Sequence, residues 1–181
     1  PNPHAGEGPL LLAAYAALQD WDALFFYTYS HTHADTTSDR ITGFFNIGQH
    51  PTQMANLSIA AAIFRRGDVQ AAKNVIRLPL FEDDEIARIA ERGRSWNVPG
   101  LDAMGLDPRT PLVSRIELLT GQPVHMIAPT SPTIDPNRIR SDTGELAWTL
   151  DDPKQGRLLI DTPRTRAVIG LPAALRAHGI T

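Results

Sequence analysis

The sequence reads as a mixed α/β protein on three observations. An apolar helix pattern at 9–20 runs directly into a continuous apolar and aromatic segment at 21–30, and a second well-bounded helix follows at 51–66. Three short strand-like runs at 145–150, 157–161 and 166–170 are separated by turn residues. A helix joined by a short link to a buried strand is the grammar of α/β folds, and the three late runs predict a small antiparallel sheet.

Gly8-Pro9 opens the first helix, because proline at the first helical position gives up an N–H that has no helical partner. The run is apolar on most faces, which suits a helix packed on a sheet and covered by neighbours. Residues 21–30 lack the alternation of a half-exposed strand, so a buried parallel strand is predicted. The stretch 31–50 has little periodicity and reads as a long functional loop, with Phe44-Phe45 as an apolar anchor. Pro51 starts the next helix, and Arg65-Arg66-Gly67 stops it with two cations in the last turn and a glycine beyond.

Further along, a short helix is predicted from Asp83 to Arg92, stopped by Gly93, and Asp107-Pro108 opens another helical piece. The acidic run Glu82-Asp83-Asp84-Glu85 is read as charge at a helix N-terminus. Asp142-Thr143-Gly144 suits a turn leading into the small sheet rather than a hairpin between two of its members. Trp96, Trp148 and the Phe25-Phe26-Tyr27 run suggest sugar-stacking surfaces, against which core packing is the safer assumption for the strand aromatics; Trp96, in a Gly/Pro/Asn-rich segment, is the aromatic to check for exposure. No internal repeat or low-complexity tract is present.

Length and composition bound the function. The 181 residues suffice for one sizeable domain with a small appendage, and 42% hydrophobic content is ordinary for a globular chain. Lys+Arg 17 against Asp+Glu 20 gives a net charge of -3 with no basic stripe, which argues against nucleic acid as a partner. There is no cysteine, so any bound ion must use imidazole, carboxylate, carbonyl or water. The apolar stretch 10–18 is too short to span a bilayer and lacks a positive flank, so no membrane partner is expected.

Asn2-Pro3-His4, helix 9–20, strand 21–30, the loop with Gly43-Phe44-Phe45-Asn46-Ile47 and helix 51–66 follow one another in an order that resembles the last part of a (β/α)8 glycoside hydrolase barrel. Ser141-Asp142-Thr143-Gly144-Glu145-Leu146 and Asp161-Thr162-Pro163-Arg164 are similar to the β-rich region that often follows such a barrel. The resemblance implies a partial barrel over residues 1–70, holding the last strand-helix units. It also implies an irregular segment with short helices over 71–130 and a small β-rich region over 131–181. In that family the acid and nucleophile are carboxylates on earlier strands, and Glu7, Asp35 and Asp39 match neither position. A piece of barrel leaves a sheet edge open, so a homo-oligomer pairing that edge is expected.

The histidines carry a separate argument. His31 and His33 follow the predicted strand, His50 precedes a helix, and His4 precedes helix 9–20, so all four map to one rim of an α/β unit. Imidazoles gathered there suit a divalent cation, zinc first, with an open position where bound water ionises and attacks an ester or phosphoester. Asp35 and Asp39 are the carboxylates able to complete or orient the shell, and Arg40 the cation for an anionic transition state. Tyr27 and Tyr29 share a side with His31 and His33 by period two. The competing reading makes His31 and His33 exposed loop residues, His50 a helix-start residue and His4 part of a frayed terminus. His125 and His178 are lone histidines with structural or solvent roles.

Two functions follow. The first is a metal-dependent hydrolase of activated esters or phosphoesters acting on a small-molecule substrate. The second is a non-catalytic C-terminal portion of a glycoside hydrolase-like protein, structural or carbohydrate-binding.

Overall fold

The computed structural model describes residues 4–79, 86–87, 101–120, 130–152 and 155–170. After a 3₁₀ turn at Ala5–Glu7, helix α1 (Gly8–Leu18) begins with Pro9 in its first turn and buries Ala13, Ala14 and Leu18 completely. Asp20, just past its end, adopts a left-handed φ of 57° that turns the chain away. A four-residue helix, α2 (His33–Thr36), interrupts the following loop. Helix α3 (Pro51–Arg65) packs on α1 and stops at Gly67, whose φ of +60° ends the helix without a Cβ penalty.

The strands form two sheets. β1 (Val75–Pro79) and β2 (Arg115–Leu119) pair in parallel, with Val75 opposite Arg115 and Ile76 opposite Ile116. β3 (Arg138–Arg140), β4 (Leu146–Asp152), β5 (Gln155–Asp161) and β6 (Arg166–Gly170) form an antiparallel meander in chain order. Period two explains its burial: Leu158 and Ile160 of β5 point inward and are fully buried, while Leu159 between them reaches solvent. The inward row meets Ala14 and Leu18 of α1 and Ile63 of α3, so the first helices and the last strands share one core. A second, smaller cluster of Ile76, Leu78 and Leu106 lies under β1.

Polar groups lock these layers together. The Gln19 amide at the end of α1 donates to the carbonyls of Pro111 and Ser114, both at 2.8 Å, and accepts from the Ile116 N–H at 2.9 Å. Asp142, in the turn between β3 and β4, accepts from the N–H groups of Lys73 and Asn74 at the start of β1. Asp68, beyond α3, accepts from the Arg66 guanidinium and from the Thr165 hydroxyl ahead of β6. The bonds of Gln19 and Asp68, both buried, satisfy groups that burial would otherwise penalise.

Both long helices fall where the sequence places them, and the late runs form the expected antiparallel sheet. Four expectations are corrected. No barrel is present among the described residues. Residues 21–30 form no strand: the Trp21 N–H closes the end of α1 on the Ala16 carbonyl, Thr28 and Tyr29 bond to Phe45, Ile47 and Gly48 of the loop, and from Ala23 onward every second side chain is exposed. An extended segment without a neighbouring strand has nothing to bury its second face, which is why its apolar composition misleads. The Asp142-Thr143-Gly144 turn does join two sheet members, β3 and β4, because β3 is too short to stand out. Parallel strands β1 and β2 replace part of the expected irregular segment. The helix predicted at 83–92 lies outside the described residues apart from helical Ile86 and Ala87, and Trp96, His125 and His178 lie outside them entirely. No described helix is long and apolar enough to cross a membrane.

Gly156 at the start of β5 carries the indole of Trp148: a Cβ there would lie 2.7 Å from the Trp148 ring. A rigid ring cannot yield as a flexible side chain does. Gly156→Ala is expected to cost about 1–3 kcal/mol through overpacking, read as a lower melting temperature with an altered tryptophan emission spectrum.

Candidate functional site

The loop between α1 and α3 is shaped by one buried amide. Asn46, 5% exposed, accepts through Oδ1 from both the backbone N–H and the ring Nδ1–H of His31, and donates through Nδ2 to the Thr42 hydroxyl. Gly43, with φ +67°, makes this possible, since a Cβ there would come within 3.0 Å of the Asn46 amide. The turn throws Phe44 and Phe45 outward, and Phe44 is 91% exposed. Their rings meet edge-on at 4.8 Å, Phe45 meets Tyr27 at 5.7 Å, and Tyr27 meets His31 at 5.3 Å. The Phe44, Phe45 and Tyr27 rings form one wall of a groove of about 530 Å³, which His31 does not line.

The opposite wall is built from helix starts. His50 caps α3, its Nδ1 accepting from the Gln53 N–H at 3.3 Å, so that its proton sits on Nε2. Gln53 donates to the Ala5 carbonyl at 2.9 Å, holding the 3₁₀ turn beside α3 and leaving its own carbonyl oxygen as an acceptor. His4 completes this side and is paired with Glu7 at 3.3 Å. Among the described residues lining the groove, none is Asp, Glu, Lys or Arg.

The structure therefore divides the sequence-predicted site. His4 and His50 line the groove, His31 is turned against Asn46, and His33 is an exposed residue of α2. Among the described residues no group of three or more His, Asp or Glu side chains is placed to hold a metal ion. Of the donor set expected, His4 and His50 share the groove, whereas His31 and His33 lie outside its lining. Asp35, Asp39 and Arg40 do not line the groove either. Asp35 forms a capping box with Thr32, and hydrogen bonds from Thr42 and Thr32 hold its carboxyl below the usual range. Asp39 and Arg40 face each other at 3.9 Å on the open surface. Asn56 lies within α3 and donates to the Gly6 carbonyl at 2.6 Å.

Sequence reasoning took Phe44-Phe45 as an anchor and passed over Asn46 and Gln53. The available signal was Gly43 directly before two aromatics and an amide, the pattern of a turn that projects rings. No protein-family model, curated protein or solved structure matches this chain.

Proposed function

We propose that the chain is a non-catalytic, carbohydrate-binding portion of a glycoside hydrolase-like protein, holding a neutral glycan in the groove between the Phe44–Phe45 turn and the start of α3. The observation that carries this reading is the lining itself, which pairs exposed aromatic faces with amide and imidazole groups and, among the described residues, contains no Asp, Glu, Lys or Arg. A sugar ring presents an apolar C–H face to an aromatic ring and hydroxyls around its rim. Tyr27, Phe44 and Phe45 supply the first contact, and the Gln53 carbonyl and His50 Nε2–H supply an acceptor and a donor. Among the described lining residues there is no Lys or Arg to meet an anionic phosphoester. Glycoside hydrolysis needs two carboxyl groups flanking the bond, and the groove offers none.

Titration calorimetry against a panel of neutral oligosaccharides tests the reading. Binding is expected, with Phe44→Ala and Tyr27→Ala each weakening it by about two- to tenfold, the size of one stacked ring at roughly 0.5–1.5 kcal/mol. Chelation is expected to leave binding and melting temperature unchanged. No heat and no ligand-induced melting shift with any neutral glycan would count against it, as would affinity indifferent to both aromatic truncations.

A further inference from the structure

Helix α3 borders a second recess beyond the groove. Leu24 and Phe26 on one side and Leu57, Ala60, Ala61 and Phe64 of α3 on the other enclose a slot of about 280 Å³. Ala60 is buried, whereas Leu24, Phe26, Leu57 and Phe64 are only half-buried, so apolar surface stays open to whatever enters. Arg65 is the one charged residue in the described lining, an exposed side chain whose stem can lie along the slot with its guanidinium in water.

Groove and slot follow one another along a single face of the helix. His50 and Gln53 line the groove, and Leu57, Ala60, Ala61 and Phe64 line the slot. Successive steps of three, four, three, one and three residues keep all six on one side of α3. Gln53 and Ala61 are about 12 Å apart along the axis at roughly 1.5 Å per residue. Phe26 lines both recesses and marks their junction.

We propose that groove and slot form one site for an amphipathic glycoside, a neutral sugar carrying an apolar aglycone, with the sugar on Tyr27, Phe44 and Phe45 and the aglycone against Leu57 and Phe64. The proposal rests on the glycan reading above and extends it past Phe26. A further sugar does not suit the slot, because apart from Arg65 its described lining offers no hydrogen-bonding side chain, and buried hydroxyls would go unpaired. A hydrocarbon loses nothing there and gains by leaving water. An apolar cavity of about 150 Å³ takes a benzene ring, so the slot has room for roughly ten carbons.

Titration of the whole chain with methyl, butyl, hexyl, octyl and dodecyl glucosides, galactosides and mannosides, each below its micelle concentration, tests this. With at least one sugar, affinity is expected to rise by about two- to fourfold per methylene and to level off near ten carbons. Ala61→Trp, at an exposed position of α3, fills the slot. It is expected to abolish the gain with chain length and leave methyl glycoside binding and the circular dichroism spectrum unchanged. Ala61→Glu is expected to reduce the same gain by placing a carboxylate at the slot, a substitution the helix accommodates because Arg65 lies four residues on. Glycosides whose affinity ignores chain length overturn the joint site and leave the glycan reading standing, as does a chain-length gain that survives both Ala61 variants. Failure of every glycoside and every neutral oligosaccharide to bind overturns the glycan reading and this proposal with it.

Discussion

Replacing Leu158 by alanine is expected to destabilise the protein by about 2–5 kcal/mol, the largest effect of any single truncation proposed here. Leu158 is fully buried in the middle of β5, opposite Trp148 of β4 and Ile169 of β6, and it meets the faces of α1 and α3. Truncation removes apolar contacts on both sides of one layer, and the flanking strands are held in register by their own ladders, so the space cannot close fully. Chemical denaturation followed by circular dichroism measures the loss. A change below about 1 kcal/mol, the range of volume-conserving swaps, would mean that helices and sheet do not share a core.

Asp68→Ala is expected to cost roughly 1–3 kcal/mol and to reshape the acid limb of stability. Asp68 is 2% exposed, and its removal leaves the Thr165 hydroxyl without its acceptor and the Arg66 guanidinium without its pair. The hydrogen bond from Arg66 and, after it, that from Thr165 hold the carboxyl below its ordinary value against the opposing effect of burial. A depressed native value means that the stabilisation is complete above the unfolded value of about 3.9 and lost as pH falls through the lower native one. Asp107 behaves in the same way: the side-chain and backbone hydrogen bonds from Arg109 hold it at about 2, so its contribution disappears between about pH 4 and about pH 2. Melting temperatures of the unmodified protein should therefore fall steeply below pH 4, and the fall should be shallower in Asp68→Ala.

What was legible in the sequence was local. Pro9, Pro51 and Gly67 mark helix ends because each acts on its own backbone, and the structure places α1 and α3 within a residue or two of the marks. The last three strands were legible through alternation and turn residues. β1 and β2 were not, because a parallel pair joins segments some 40 positions apart in the chain and Pro79 ends the first of them. Burial of residues 21–30 was misjudged for a related reason: composition says that a segment can be buried, and only its neighbours decide whether it is. The histidine rim was half legible. Spacing put His4 and His50 near each other, but where an imidazole points depends on its hydrogen-bond partner, and for His31 that partner is Asn46, fifteen residues away behind the Gly43 turn.

The shared core carries a consequence for biosynthesis. The inward faces of α1 and α3 are complete by residue 65, yet the side chains that cover them arrive with Leu146, Leu158, Ile160 and Ile169. During translation the amino-terminal helices must wait, oily side outward, for about 80 to 100 further residues to emerge, a delay of roughly 4–20 seconds at 5–20 residues per second. That interval is where chaperones would hold it, and where a stop codon ahead of β4 would leave a product with nothing to fold onto.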